Sequence, residues 1–457
     1  MSVRTISGLV ALNASFAALG LSVLYALRGF SCWQDAARLA GLGHLLGVAG
    51  FGVVWTELLV LGVPFDRWSI VATLILGIAG ACLAGRLLGR PVPRLPRGPG
   101  VTTLALLVTA GGVALVGLLL EALFRAARLQ SLQAFDAWAF WVPKAKALYF
   151  FEGLDQQVFT VSAGPTYPPL LPIMDAAAFH AMGSVDVVTL HLQFWFLLLG
   201  AVAAVAGCLY RHVPAWLLWP SLLVVLVVPR FGERLLTPQA DVLVDVFFVV
   251  AALLVALWLE DGERWRLGAA AVLLAGATLT KREGILFAAV VVLAGLVASW
   301  RTRRSAWPRL GGVALVVVAA AIPWRLWYRA HDVTGEAPGD LGLGVSADRA
   351  VDALRLSLDV LFETSLWSLV PYLLLLALAA GLAWGDRRLG AYFAVVLGAA
   401  FLGGAWVTYS YADIPITANE ALNPIVRYTG ALVLLAAAAM PLLLASAWRH
   451  GRGSEGP

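Results

Sequence analysis

The chain has 457 residues, of which 61% are hydrophobic and only 13% are charged. Soluble globular domains carry about 25% charged residues, so this composition excludes an ordinary soluble protein and indicates a membrane protein. The formal net charge is +5, but the basic residues lie in short segments between apolar runs, where membrane topology explains them. Nucleic acid is therefore not predicted as a partner, whereas the lipid bilayer is.

The three cysteines, Cys32, Cys82 and Cys208, lie far apart in apolar surroundings. They match neither a disulfide framework nor a zinc-binding spacing. The six histidines show no metal-binding spacing either. No resident metal site is predicted. A divalent cation, Mg²⁺ or Mn²⁺, held by one carboxylate and a substrate phosphate would leave no such pattern and stays open as a cofactor.

Long apolar runs follow one another along the chain, and a membrane-spanning helix needs about 20 such residues. We therefore predict an all-α, polytopic transmembrane bundle of about 12 or 13 spans. The runs lie at residues 6–27, 44–63, 69–88, 101–123, 186–210, 213–229, 241–259, 266–280, 284–300, 310–328, 361–384, 389–409 and 425–447. The first run is too long for the apolar part of a signal peptide, so we expect it to be an uncleaved first span.

Arginine is concentrated in alternate connections of this series. These connections include residues 86–97, 211, 264–266, 301–309, 387–388 and 449–452. Because short cytoplasmic loops are enriched in Lys and Arg, we predict that these connections lie in the cytoplasm. The opposite, outer face then carries the longer loops, near residues 124–185, 230–240, 329–360 and 410–424. Binding and catalytic residues are found disproportionately on loops, so we expect the functional site at the outer face.

The first outer loop contains Asp136, followed by Trp138, Trp141, Pro143 and Lys144. Apolar residues recur there every three or four positions, which predicts an amphipathic helix that restarts at Pro143 and lies in the membrane interface. Asp136 stands at the beginning of this helix. It is either an acid favoured by the helix dipole or a functional carboxylate.

Further along the same loop, Tyr167 precedes Pro168, Pro169 and Pro172. Prolines exclude a regular helix, so this stretch predicts a stiff, extended segment that turns back towards the membrane. A rigid turn and a functional Tyr167 are compatible with each other.

Two acids lie at the beginning of a later apolar run. Asp241 and Asp245 are one helical turn apart, which places them on the same helix face. Thr237 is the predicted N-cap of this helix and Pro238 its first residue. Ionisable residues within a span are functional candidates, although Asp241 could simply be solvated at the helix end.

Lys281 and Arg282 separate two further apolar runs at the same predicted face, between Thr280 and Glu283. Thr280 and Glu283 fit a capping box, which gives Glu283 a structural explanation. Lys281 and Arg282 have no such explanation, and cations at the bilayer surface are suited to a lipid phosphate. Arg427 lies just inside the last run, where snorkelling to the interface is the alternative to a functional role.

Taken together, five segments resemble the bacterial relatives of the GT-C glycosyltransferases. That superfamily includes the dolichyl-phosphate-mannose–protein mannosyltransferases and the aminoarabinose transferases of lipid A. The segments are Phe135-Asp136-Ala137-Trp138, Tyr167-Pro168-Pro169, Gln239-Ala240-Asp241, Thr280-Lys281-x-x-Gly284 and Arg427-Tyr428. The family often pairs its first acid with a second acid, whereas Asp136 is followed by Ala137.

The resemblance covers residues 101–447, which we expect to form the catalytic domain. Residues 1–100 are then an addition of N-terminal membrane spans and a cytoplasmic connector, and residues 448–457 are a short cytoplasmic tail. The resemblance implies a GT-C-like fold in the bacterial cytoplasmic membrane. It also implies inverting transfer of a sugar from a polyprenyl-phosphate donor to a lipid, glycan or protein acceptor at the outer face.

For this chemistry we expect Asp136 to be the catalytic base, because the acceptor hydroxyl must lose a proton. The leaving phosphate already bears charge, so it needs cations rather than a strong acid. The residues expected to bind substrate are Lys144, Tyr167, Asp241, Lys281, Arg282 and Arg427.

A membrane transporter or flippase of lipid-linked substrates is the main alternative function. It predicts inverted repeats and ionisable groups near the middle of the membrane, whereas the sequence shows no repeat and its candidate charges gather at one face. A non-catalytic assembly subunit and a polysaccharide polymerase or ligase also remain open.

Overall fold

The computed structural model describes residues 2–95, 103–132, 134–161, 164–234, 236–300, 307–333, 346–410 and 424–453. These residues form helices and their connections, with one isolated bridge between Cys32 and Arg94, which confirms the predicted all-α class. The first ten helices are α1 Val3–Arg28, α2 Trp33–Arg38, α3 Ala40–Val60, α4 Arg67–Leu87, α5 Thr103–Ala127, α6 Val142–Phe151, α7 Gln156–Val161, α8 Leu170–Met182, α9 Val187–Leu209 and α10 Ala215–Leu226. A π-helical segment, Ala137–Trp141, precedes α6.

The second half of the chain continues in the same way. Its helices are α11 Pro229–Arg234, α12 Ala240–Asp261, α13 Arg264–Thr280, α14 Glu283–Ser299, α15 Trp307–Ala330, α16 Ala347–Leu361, α17 Thr364–Trp367, α18 Val370–Trp384, α19 Arg387–Ser410 and α20 Pro424–Gly453. The last helix continues beyond residue 448, where the sequence predicts a tail.

Among the described residues, nine helices are long and apolar enough to cross a membrane: α1, α3, α4, α5, α9, α12, α15, α19 and α20. The chain is thus a multi-pass membrane-type protein. The remaining predicted spans lie on α10, α13, α14 and α18, which have 12, 17, 17 and 15 residues. A total of about 12 or 13 spans therefore stays a prediction, since these helices are shorter than a full crossing requires.

Helix α12 is the centre of the bundle. Its most apolar stretch is completely buried, and it packs against α13, α14 and α20. An apolar surface on all sides is typical of a helix in the core of a bundle, where other helices enclose it. Its two acids, Asp241 and Asp245, lie at its first turns and are therefore held inside the bundle at one end.

The helices of the predicted N-terminal addition share the core of the rest of the protein. Helix α3 packs against α9 and α13, and α1 packs against α3 and α8. The backbones of α1 and α3 approach very closely, because a Cβ atom on Gly47 would lie 1.8 Å from the carbonyl oxygen of Phe16. Small residues permit such close helix packing inside a membrane.

The segment between α5 and α9 folds back over one end of the bundle. Its helix α6 begins at Val142, directly after the π-helical segment, with Pro143 in its first turn. The amphipathic character of this segment stays a prediction. Trp141 and Leu148 are buried, and α6 packs against α8. Phe135 and Trp138, which precede α6, are exposed. Its position in a membrane interface stays a prediction. We call the end of the bundle that carries Asp136 and Asp241 the site end.

Two predicted helix starts are wrong. Gln239, not Thr237, is the N-cap of α12, because the Thr237 backbone N–H bonds the Arg234 carbonyl in a turn that closes α11. The predicted capping box of Thr280 and Glu283 is absent: the Thr280 hydroxyl donates to Gly276 O at 2.7 Å, within its own helix. Arg282 is the N-cap of α14, without a side-chain capping bond. Glu283 is consequently left for another partner.

Candidate active site

The carboxylate of Asp136 binds the guanidinium of Arg427, 291 positions later in the chain. Arg427 Nη1 lies 2.5 Å from Asp136 Oδ2, and the two side chains are 30% and 10% exposed. Asp136 makes no capping bond to the π-helical segment that follows it. Its side chain therefore serves the contact with Arg427 rather than the helix start.

Asp241 stands at the centre of a group of cations. Its Oδ1 atom lies 2.7 Å from Lys281 Nζ, and its Oδ2 atom lies 3.8 Å from both Arg427 Nη1 and Arg234 Nη2. Lys281 Nζ also lies 3.0 Å from Glu283 Oε1. Asp241 and Lys281 are each only 4% exposed. Four of the predicted residues, Asp136, Asp241, Lys281 and Arg427, thus form one continuous charged network.

Arg234 belongs to this network and was missed in the sequence. It lies on the short helix α11, and its Nη1 atom donates to Val426 O at 3.3 Å. Gly430, one turn after Arg427, leaves room for it: a Cβ there would lie 3.2 Å from Arg234 Nη1 and 3.7 Å from Asp245 Oδ2. Asp245 therefore lies next to the network. In the sequence, Arg234 is one basic residue of an outer loop, and no pattern there indicates that it lies close to Asp241.

Tyr167 forms an aromatic platform beside the network. Arg282 Cζ lies 5.4 Å from its ring centroid, a cation–π distance. The Tyr167 ring stacks on Phe140 at 5.9 Å and packs against Trp141 at 5.4 Å. Gly164 has φ +60, and a Cβ there would lie 2.3 Å from this ring, so only glycine permits the turn. Arg282 itself is exposed.

The two tryptophans of this segment, Trp138 and Trp141, lie in different surroundings. Trp141 is buried under Tyr167, whereas Trp138 is 52% exposed and packs edge-on against Phe135 at 5.1 Å. Of the pair, only Trp141 supports the platform.

Lys144 is placed beneath the platform rather than in the charged network. Its side chain is fully buried, and its Nζ atom donates to Gly164 O at 2.6 Å. Burial lowers the pKa of Lys144 from 10.5 to about 7, and repulsion from Arg282 acts in the same direction. The bond to Gly164 holds the turn that carries Tyr167, which is a supporting role.

The site presents some charges to a ligand and keeps others behind them. Arg282 is exposed and Arg427 is partly exposed, whereas Asp241, Lys281 and Arg234 are buried or nearly so. Such an arrangement can bind an anionic group through its outer cations, while the buried carboxylate fixes their positions. The predicted outer-loop residues 334–345 and 411–423 lie outside the described ranges.

No three His, Cys, Asp or Glu side chains in the described part of the chain form a group that could hold a metal ion. The carboxylates of Asp136 and Asp241 are instead engaged by arginine and lysine. Mg²⁺ or Mn²⁺ as a cofactor stays a prediction.

Comparisons of the chain with protein-family models, curated proteins and solved structures found no match.

Proposed function

We propose that the chain is a membrane-embedded glycosyltransferase of the GT-C type, which transfers a sugar from a polyprenyl-phosphate donor. The contact between Asp136 Oδ2 and Arg427 Nη1, at 2.5 Å, is the observation that carries this proposal. It joins the carboxylate needed for proton removal to a cation suited to the leaving phosphate. A membrane-spanning protein that concentrates such groups at one end fits a substrate anchored in the lipid.

The proposed reaction is a single displacement. The oxygen of the acceptor hydroxyl forms a bond to the anomeric carbon, while the bond from that carbon to the phosphate oxygen breaks. The hydroxyl proton passes to Asp136, and the polyprenyl phosphate leaves with the bonding electrons. Attack opposite the leaving group inverts the anomeric carbon. A positioned general base of this kind contributes about 10²–10⁴-fold to the rate.

Donor binding would also activate Asp136. A phosphate oxygen that accepts hydrogen bonds from Arg427 competes with Asp136 Oδ2 for the same donor. Once Arg427 has moved to the phosphate, the Asp136 carboxylate loses its neutralising partner and becomes a better proton acceptor. The network therefore couples phosphate binding to the readiness of the base.

The other residues of the site hold the cations that would contact the phosphate. Asp241 holds Lys281 at 2.7 Å and lies near Arg427, so it positions cations for the negative charge that develops on the phosphate. Arg282 is placed to contact the phosphate from the exposed side. Tyr167 contributes by holding Arg282 over its ring at a cation–π distance. From the resemblance we also infer that this site lies at the outer face of a bacterial cytoplasmic membrane.

The transport alternative would require polar groups available inside the membrane. The bundle interior does contain Asn13, His44 and Gln193. These three are bonded to one another, at 2.8 Å between Asn13 Oδ1 and His44 Nε2 and at 2.8 Å between Asn13 Nδ2 and Gln193 Oε1. Mutually bonded polar side chains hold membrane helices together, so this cluster favours a structural role over transport.

The test is a transfer assay with purified protein in nanodiscs and a panel of radiolabelled polyprenyl-phosphate sugars, with water as the fallback acceptor. Wild type should transfer or release the sugar of one donor, and Asp136→Asn should not. Asp175→Asn is the matched control, because Asp175 is a buried acid on α8 outside the network. Donor binding without turnover in wild type indicates a missing acceptor. Absence of both binding and turnover across the panel would contradict the proposal.

A further inference from the structure

At the end of the bundle opposite Asp136, a cavity of about 480 Å³ is lined by four arginines and by the acids Asp261 and Glu263. Arg28 ends α1, Arg38 ends α2, Arg211 follows α9 and Arg266 lies in the first turn of α13. The cavity therefore forms where the N-terminal helices meet the central bundle. We call it the arginine cavity, and nothing in the proposed sugar transfer uses it.

Three of the four arginines, Arg28, Arg38 and Arg266, are held inside the protein rather than extended into water. Arg266 is only 7% exposed, and the Arg28 and Arg38 side chains are each 18% exposed. Arginine at a membrane end ordinarily extends its charged group towards the water. Both Arg28 and Arg38 instead contact Asp35, at 2.8 and 2.7 Å. The buried Asp35 carboxylate thus holds the guanidinium groups of Arg28 and Arg38 beside the cavity.

These partners leave donor capacity unused. The Nε atoms of Arg38 and Arg266 are buried and have no hydrogen-bond acceptor among the residues that the structure describes. Arg211 lies 4.0 Å from Asp35 at its nearest, and its side chain is 64% exposed. Arg28 and Arg38 share Asp35, and Arg266 pairs with Asp261 at 2.5 Å. Each guanidinium has five N–H donors, so these two carboxylates leave some of the donors without an acceptor. The cavity is thus suited to an anion with several acceptor oxygens.

The surroundings indicate the depth of the cavity relative to lipid. Trp265 lies between two of the arginines, with guanidinium carbons 5.2 Å (Arg28) and 5.1 Å (Arg266) from its ring. Large aromatic side chains are also exposed around this end, namely Trp33, Tyr210, Trp216 and Trp448. Exposed tryptophan and tyrosine concentrate at the headgroup level of a bilayer. An anion in the arginine cavity would therefore lie at headgroup depth.

We propose that the arginine cavity binds the phosphate of an anionic lipid headgroup from the adjacent leaflet. The phosphate oxygens accept hydrogen bonds from Arg211 and from the unused donors of its neighbours, in the forked geometry that guanidinium and phosphate share. Basic pockets between membrane helices are known sites for such headgroups. A soluble phosphate offers the same oxygens, so the experiment must distinguish the two sources.

Arg211→Gln is the informative variant, because Arg211 is largely exposed and its removal leaves the contacts of Asp35 with Arg28 and Arg38 intact. Arg86→Gln is the matched control: it removes the same charge from an exposed site at the same end, on α4 and outside the cavity. The probes are phosphatidylglycerol, phosphatidylcholine and inorganic phosphate, each added to protein in a neutral detergent. Native mass spectrometry gives the bound lipid, and thermal unfolding gives the apparent affinity.

Phosphatidylglycerol should bind wild type and raise its melting temperature, whereas phosphatidylcholine should have little effect. Arg211→Gln should weaken phosphatidylglycerol binding about tenfold, the loss of one charge-assisted hydrogen bond. Arg86→Gln should bind like wild type, and Arg211→Lys should retain part of the affinity. Equal weakening by Arg211→Gln and Arg86→Gln would overturn the proposal, since only net charge would matter. Stabilisation by inorganic phosphate alone would overturn its lipid source.

Discussion

The charge of Asp241 should be essential for the stability of the site end. Its carboxylate lies 2.7 Å from Lys281 Nζ and 3.8 Å from guanidinium nitrogens of Arg234 and Arg427. Asp241→Asn keeps the shape of the side chain but leaves three neighbouring cations without their shared anion. Breaking a buried ion pair costs about 3–5 kcal/mol. Because the Arg427 side chain is 30% exposed and partly screened by solvent, we expect about 3 kcal/mol.

The free energy of unfolding can be measured by reversible denaturation in mixed detergent micelles. Asp175→Asn is the control, since Asp175 is fully buried and neither of its oxygens has a hydrogen-bond partner among the described residues. This control loses no ion pair and should change stability by less than about 1 kcal/mol. Added phosphate should stabilise Asp241→Asn more than wild type. A loss of stability in Asp241→Asn no larger than that in Asp175→Asn would contradict this role of the Asp241 charge.

Three further predictions concern the contact of Asp136 with Arg427, the buried Lys144, and the room that Gly430 leaves for Arg234. In a double-mutant cycle, Asp136→Asn and Arg427→Gln should show a coupling of about 1–3 kcal/mol in unfolding, and additive effects would contradict their contact. Lys144 has a pKa of about 7 when folded and 10.5 when unfolded. Between these values the unfolded chain binds more protons, so stability rises with pH. Thermal unfolding should show this rise in wild type but not in Lys144→Met. Gly430→Ala places a Cβ 3.2 Å from Arg234 Nη1. It should lower transfer activity while costing less than about 1 kcal/mol of stability. Unchanged transfer activity would exclude Arg234 from the site.

The positions of the helices could be predicted because apolar runs of membrane length are a strong signal. Every predicted run overlaps a helix, although the run 361–384 is divided among the end of α16, the short helix α17 and α18. Helix ends were less predictable. The Thr280 hydroxyl bonds within its own helix instead of capping the next one, and the Thr237 N–H bonds within the turn after α11. The amphipathic helix α16 was missed altogether. Its exposed apolar row of Val351, Leu354 and Leu358 lies within a segment that was treated as a loop.

It was easier to predict which residues belong to the site than which of them contact each other. Asp136 and Arg427 were chosen because both lie at the same predicted membrane face, and the structure brings them together. No local pattern indicates that the two bond to each other across 291 positions. Lys144 has the residue type of a phosphate ligand, yet tertiary packing buries it against Gly164. Burial of a single lysine depends on which helix covers it, and the sequence does not specify that.

The central claim is that Asp136 performs chemistry while the neighbouring cations hold the phosphate. The most direct test measures donor binding and sugar transfer for Asp136→Asn in the same nanodisc sample. We expect transfer to fall by at least about 100-fold. Donor binding should stay unchanged or become tighter, because Arg427 is released to the phosphate. Full transfer by Asp136→Asn, or equal loss of binding and transfer with an intact fold, would contradict this assignment.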